Sequence, residues 1–193
     1  MGDGTAALAA GGDAAAGDEA ILVRAARADP AAFEALYGRY HARLYRYLRT
    51  RAATDEDAAD LTQQVFLRAW AALPRYRERG LPFAAWLFRI ARNAAANAAR
   101  GRREAVPLGA VAATLIAAEE DEPERHAMRR EAQDRLGVLL QGLESDKRDL
   151  LALRFAAGLT AREIAAVVGA REGAIKKRLA RTVRALKEQY DER

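Results

Sequence analysis

Apolar side chains recur three and four residues apart along almost the whole chain, a spacing that specifies α-helix and little else. Phe33, Leu36, Tyr37, Tyr40, Leu44, Tyr45 and Leu48 form one such stripe. Leu61, Val65, Phe66, Ala69 and Trp70 form a second, and Phe83, Trp86, Leu87, Ile90 and Ala91 a third. No stretch alternates apolar with polar residues in a β-branched background, so strands are not expected. Punctuation between the stripes agrees. Asp18 to Ala28 reads as a helix, and Asp29-Pro30 restarts the next with an aspartate cap and a first-turn proline. Thr54-Asp55-Glu56-Asp57 has a capping-box pattern with acids on the positive helix end, and Pro74 closes the helix it opens.

The periodicity lapses once. Between Glu104 and about His126, Pro107, Gly109, Pro123 and the acidic run Glu119-Glu120-Asp121-Glu122 mark a linker, with Val111 to Ile116 as a short helix inside it. The expected organisation is all-α: a disordered alanine-glycine tail over residues 1–17, a helical domain over 18–103, a flexible linker over 104–127, and a smaller helical domain over 128–189. In the last, Ala132 to Leu143 is one helix and Ser145 caps the next.

Composition removes several classes of function. With no cysteine there is no disulfide, thiolate metal site or cysteine nucleophile, and His41 and His126 stand far apart. No glycine-rich phosphate loop and no nucleophile–base pair is visible. No catalytic residue, metal or cofactor is therefore expected, and the chain does not read as an enzyme. No apolar run reaches the roughly 18 residues of a membrane span. The start lacks the basic residues and leucine-rich centre of a signal peptide, so a cytoplasmic protein without membrane insertion is expected. The net charge of +5 favours a polyanionic partner, although so mild an excess also serves solubility.

The most specific local pattern is Gly158-Leu159-Thr160-Ala161-Arg162-Glu163-Ile164-Ala165-Ala166-Val167-Val168-Gly169. Thr160 with Glu163 is a capping box, Ile164, Ala165 and Val168 supply a buried face, and Gly169 ends the helix. A second helix from about Glu172 to Glu188 turns Ile175, Leu179, Val183 and Leu186 inward. Its outer face carries Lys176, Lys177, Arg178, Arg181 and Arg184, donors suited to phosphates and guanine edges. This is a helix-turn-helix, whose second helix enters the major groove of DNA. Glu172 suits either a cytosine amino group or the helix dipole.

Two further segments carry a family resemblance. Asp57-Ala58-Ala59-Asp60-Leu61-Thr62-Gln63-Gln64-Val65-Phe66-Leu67-Arg68-Ala69-Trp70-Ala71-Ala72-Leu73 closely resembles the polymerase-binding helix of sigma factors. Phe83-Ala84-Ala85-Trp86-Leu87-Phe88-Arg89-Ile90-Ala91-Arg92-Asn93 resembles the helix after it, which reads the −10 promoter element. With the Gly158 to Glu188 block, which resembles the −35-reading domain, the chain is similar to the extracytoplasmic-function sigma factors of the sigma-70 family. The resemblance runs from about Asp18 to Gln189.

It implies a promoter-specificity subunit that binds RNA polymerase core enzyme, through the β′ clamp helices and the β subunit, and promoter DNA. It also implies control by an anti-sigma factor. The core-binding residues it implies are Asp57, Asp60, Gln63, Gln64, Leu67 and Arg68. Those for the −10 element are Tyr76, Arg77, Glu78, Gly80, Arg89, Asn93, Asn97 and Arg100, with Arg92, Arg102 and Arg103 as backbone contacts. Asn93, in a position that holds a flipped base in the family, has the donor and acceptor that base-edge reading requires. Trp86 could offer a stacking face, but its spacing with Phe83, Leu87 and Ile90 places it in the core. The −35 residues implied are Arg171, Glu172, Lys176, Lys177, Ala180 and Arg181.

Three positions depart from family usage: Gln64 replaces an acid, Ala174 a hydroxyl residue and Lys177 a serine. The acidic linker serves equally as a spacer or as a strand threading a positive polymerase channel. The alternative reading is a helix-turn-helix regulator that binds an operator without polymerase, usually as a symmetric dimer. No leftover apolar stripe offers a dimer face, so a monomer is expected when free.

Overall fold

The computed structural model describes residues 7–77, 82–100 and 123–192, and every regular element among them is helical. In chain order these are α1 (Ala7–Ala28), α2 (Phe33–Arg49), α3 (Asp55–Ala72) and α4 (Phe83–Arg100). The C-terminal half contributes α5 (Pro123–Gln141), α6 (Ser145–Leu151), α7 (Ala161–Val168) and α8 (Glu172–Asp191). A π-helical segment, Ala152–Ala156, continues α6. No helix among the described residues is long and apolar enough to cross a membrane.

Local chemistry sets most boundaries. Asp29 accepts from the Ala31 amide and Pro30 opens the 3-10 turn (Pro30–Ala32) that leads into α2. Thr54 accepts from the Asp57 amide at the head of α3. The 160/163 capping box is complete: Thr160 Oγ1 accepts from the Glu163 amide at 3.2 Å and Glu163 Oε2 accepts from the Thr160 amide at 2.7 Å. Gly169 ends α7 at φ +73°, the left-handed conformation that turns the chain into α8.

Three boundaries differ from expectation. The tail expected to lack structure through Gly17 is helical from Ala7, because alanine extends an existing helix at little entropic cost. The linker expected to run to residue 127 ends at Pro123, where proline suits a first helical turn. The residue capping α6 is Glu144, with no side-chain bond, rather than Ser145. The short helix expected at Val111 to Ile116 lies outside the described residues.

Leu36, Tyr40, Leu44 and Leu48 of α2 share a core with Leu61, Val65 and Ala69 of α3 and with Phe83, Leu87 and Ala91 of α4. That core does not stop at the domain boundary. Leu150, Leu153, Leu159, Ile164, Val167 and Ile175 belong to the same buried cluster, with α4 packed on α7 and α2 on the π-helical segment. A smaller cluster of Leu139, Leu140, Leu151 and Leu186 ties α5 to α8. The two halves, expected as modules joined only by a tether, are packed together.

The second burial explains where the stripes were incomplete. Tyr47 and Phe88 are fully buried, although neither fell on the stripes read from sequence. Both face the other half or the seam, and their rings meet edge-on at 5.7 Å. Trp70, expected in the core, is instead 49% exposed. Val183, expected inward on α8, is 43% exposed beside an open apolar groove of about 310 Å³, while Thr182 is buried.

Gly169 isolates one backbone constraint, because a Cβ placed there meets nothing within 4 Å. Gly169→Ala should therefore cost only the left-handed strain, about 1 kcal/mol, in urea unfolding. A loss of several kcal/mol would reveal a packing role for that turn.

Candidate nucleic-acid interface

Three surfaces hold the residues expected to be functional. On α3, Asp60, Gln63, Gln64, Leu67 and Arg68 are exposed and Asp57 is half-buried. Leu67 is 63% exposed, and one turn on lies Trp70, which the core stripe had claimed. Because i and i+3 share a helix face, the pair makes an apolar spot within an otherwise polar surface. Ala58, Leu61, Thr62, Val65 and Ala69 hold the opposite face of α3 in the core.

The second surface is the outer face of α8. Arg171, Lys176, Lys177, Ala180 and Arg181 are all exposed, as are Arg178 and Arg184. Glu172 is half-buried, with Oε1 2.6 Å from Lys176 Nζ across one helical turn. In the free chain Glu172 thus partly neutralises the start of the basic face, in addition to favouring the helix dipole. Ile175, Thr182 and Leu186 anchor the other side.

The third surface, on α4, is less free than the sequence implied. Asn93 and Asn97 are exposed. Arg89 is exposed but donates to the Ala166 carbonyl at 2.7 Å, satisfying a carbonyl in the last turn of α7. Arg92 donates to Asp149 Oδ2 at 2.7 Å. Tyr76, expected to present its ring in the loop before α4, is 6% exposed and packed against Phe83 and Trp86 at 5.7 and 4.9 Å. Its ring therefore faces the start of α4 rather than solvent. Arg77 is exposed; Glu78 and Gly80 lie outside the described residues, as do Arg102 and Arg103, and Arg100 ends the helix.

The start of α4 is fixed from a distance. Glu19 of α1 accepts from the Phe83 amide at 2.9 Å through one oxygen and from the Tyr40 hydroxyl through the other. It thereby caps the first residue of α4 from another helix, a role no sequence motif announces.

Sequence reading also missed the cluster around Asp149. This aspartate is 5% exposed in the seam between the halves. Oδ1 accepts from the Tyr47 hydroxyl at 3.0 Å and from the Arg51 guanidinium, and Oδ2 accepts from Arg92. The hydrogen bond that Arg92 donates to Asp149 holds its guanidinium still more firmly protonated. Nearby, Arg43 donates to the Ala157 and Gly158 carbonyls at 2.7 and 3.2 Å, and Arg46 to that of Ala156 at 3.3 Å. These are carbonyls left without helical partners where the π-helical segment ends. The one available hint was the four-residue spacing of Arg43 and Tyr47 on one face of α2, continued by Arg51 in the turn directly after it. No group of three side chains among the described residues is placed to hold a metal ion.

A capped helix, a glycine turn and a basic second helix, packed on a second helical domain, define a DNA-binding transcription protein. Comparison with known proteins narrows this. Residues 36–105 match the family described as Sigma-70 region 2, and residues 133–186 match Sigma-70, region 4. The chain is 34% identical to the ECF RNA polymerase sigma factor SigD of Mycobacterium tuberculosis, over 89% of this chain and 82% of that one. It is 33% identical to the ECF RNA polymerase sigma factor BldN of Streptomyces coelicolor, over 86% of this chain and 63% of that one. Among solved structures, CnrH in complex with the cytosolic domain of CnrY shares 26% identity at a TM-score of 0.65, covering 90% of this chain and 97% of that one. The chain belongs to the extracytoplasmic-function sigma factors of the sigma-70 family. It is an alternative sigma factor: it binds RNA polymerase core enzyme, directs it to particular promoters and supports transcription initiation.

The seam has a pH signature. Burial pushes the Tyr47 phenol above its ordinary value of 10.0, with Arg51 opposing and Asp149 adding to the rise, and burial with the Glu19 carboxylate does the same to Tyr40. Both folded-state values are raised, so this stabilisation is complete below pH 10 and is lost as pH climbs beyond it. The urea midpoint should fall above about pH 10, and less steeply in Tyr47→Phe. Identical slopes would remove Tyr47 from the account.

Proposed function

We propose that the three surfaces divide the work of promoter selection. The outer face of α3, from Asp57 through Arg68, docks on the β′ clamp helices of the core enzyme. Polar side chains around Leu67 and Trp70 suit a helix-on-helix contact that forms and later releases. Gln64 contributes hydrogen bonding there without the negative charge usual in the family, which lessens the salt dependence of the contact.

α8 reads the −35 element in the major groove through Arg171, Glu172, Lys176, Lys177 and Arg181, with Ala180 allowing close approach. α4 and the loop before it act on the melted −10 element. Asn93 reads an extruded base edge, Asn97 lies one turn further along, and Arg77, Arg89, Arg92 and Arg100 follow the phosphates. Tyr76 acts from beneath, holding the loop's first residue against Phe83 and Trp86. Residues 18–103 and 128–189 thus serve as the two working units, with the segment between them setting their effective concentration. The chain selects promoters and leaves RNA synthesis to the core enzyme, so it performs no catalysis itself and acts in the cytoplasm with its template. A protein inhibitor that embraces the chain, as the cytosolic domain of CnrY is in complex with CnrH, is its expected controller.

The observation that carries this reading is the exposed basic face of α8 behind the capped α7 and the Gly169 turn. Run-off transcription with core polymerase on a promoter-fragment library tests it. Specific transcripts that require the chain are expected, and their absence, together with separate elution of chain and core, would favour the polymerase-independent regulator.

Two substitutions refine the assignment. Lys176→Glu with Arg181→Glu should abolish promoter selection while co-elution with core persists; unchanged promoter-specific transcription would refute the groove assignment. Asn93→Ala should impair strand opening, read by permanganate reactivity, more than duplex binding. Equal losses in both would remove its base-reading role.

A further inference from the structure

The middle of α4 is anchored by apolar burial, with Leu87, Phe88 and Ala91 inaccessible to solvent. Its first turn, and the connection leading into it, are held differently, by polar groups of α1. Glu19 accepts from the Phe83 amide at 2.9 Å through one oxygen and from the Tyr40 hydroxyl through the other. Eight positions further along α1, Arg27 donates to the Pro74 carbonyl at 3.4 Å, within the 3-10 turn (Leu73–Arg75) that follows α3. Eight residues of helix span about 12 Å. One rigid helix therefore grips both the end of α3 and the beginning of α4.

The corner so fixed carries residues assigned to the −10 element. The Phe83 ring packs on Tyr76, Trp86 and Tyr40, with centroids 5.7, 5.2 and 5.5 Å away. Arg77 follows Tyr76 directly and is exposed, and Asn93 lies ten residues after Phe83 on α4. Displacing the Phe83 amide would thus shift Tyr76 and Arg77 relative to Asn93. Glu19 opposes that displacement. Its carboxylate on a first-turn amide makes a charge-assisted bond at the positive end of the helix. The apolar hold of α1 is slender by comparison: among its described side chains Val23 and Ala26 are buried, with Leu22 packed beside them against the core.

We propose that α1 is a positioning element for −10 recognition. Glu19 is its positioning residue and acts through the Phe83 amide, while Arg27 steadies the other end of the connection through Pro74. Neither side chain touches DNA. The inference rests on the assignment of Arg77 and α4 to the melted −10 element. The outer faces of α3 and α8 lie outside this clasp, so core docking and duplex reading do not depend on it.

The test uses the full chain with core polymerase, on the strongest promoter recovered by run-off transcription and on templates differing from it by one base of the −10 element. The quantity read is the ratio of strand opening on matched and substituted templates, followed by permanganate reactivity. Glu19→Ala should lower that ratio about tenfold, the scale of one lost hydrogen bond to a charged group, while co-elution with core and duplex binding persist. Glu19→Gln keeps an acceptor for the Phe83 amide and should restore most of the ratio. Arg27→Ala, at an exposed position, should lower it about threefold. Val23→Ala loosens α1 without touching the clasp, so its urea midpoint should fall and its ratio stay unchanged.

Equal losses on matched and substituted templates in Glu19→Ala would reduce Glu19 to a stabilising contact and overturn the proposal. So would a ratio that merely follows the urea midpoint across Glu19→Ala and Val23→Ala. If Glu19→Ala loses its helical circular dichroism, Arg27→Ala decides, and an unaltered ratio there is equally fatal. Asn93→Ala, measured on the same templates, separates the two levels of the argument. A ratio intact in Asn93→Ala removes the α4 assignment and this inference with it; one that collapses there but holds in Glu19→Ala removes the role of α1 alone.

Discussion

A carboxylate removed from water must be compensated by several well-placed donors, and Asp149 meets that demand with groups from two other helices. Tyr47 and Arg92 come from α2 and α4, and Arg51 from the turn directly after α2. Desolvating such an ion costs several kcal/mol, so its value lies less in net stability than in the single geometry that satisfies it. α2, α4 and α6 must converge in one orientation for all three donors to reach the same side chain. The continuous apolar cluster from Leu36 to Ile175 then has a defined register across the seam, where aliphatic packing alone would tolerate sliding. The guanidinium groups of Arg43 and Arg46 add a second set of directional bonds at the end of the π-helical segment.

That constraint divides the molecule's surfaces by availability. The outer faces of α3 and α8 point away from the seam, and their polar and basic side chains stay solvated. The face of α4 looks into the seam. If α4 holds the melted strand as proposed, a protein that must first find polymerase and a duplex benefits from keeping that surface engaged elsewhere. Cations paired with an internal carboxylate are also less free to bind unrelated nucleic acid, a standing hazard for a chain of net charge +5. On the proposed division of labour, linking the two halves in one chain raises the effective concentration of each at its own promoter element.

Most of the secondary structure was legible because its determinants are local. The Asp29 cap, the Thr54 cap, the Thr160–Glu163 box and the Gly169 terminator each act within about one helical turn, and all four sit where the residues placed them. The helix-turn-helix and the outward basic face of α8 follow from the same short-range rules. Errors gathered where one helix face is decided by a distant partner. Trp70 matched the apolar period of α3, yet it is 49% exposed; Tyr47 lay off the period of α2, yet it is completely buried against the C-terminal half. Tyr76 read as a loop residue because it follows Pro74, and only the approach of Phe83 and Trp86 makes it part of the core.

Sequence alone therefore determined that the chain is helical, where most of its helices begin and end, and which of its segments resemble the working parts of a sigma factor. These depend on spacings of three to seven residues, which any reader of the chain can count. Tertiary structure alone decided that the two halves share a core, that Glu19 caps a helix 64 residues away, and that Asp149 draws Arg51 and Arg92 to itself across separations of 98 and 57 residues. The physical reason is that a cap or an amphipathic stripe is satisfied within its own helix. A buried charge or a second packed face is satisfied only by a partner whose position the fold supplies.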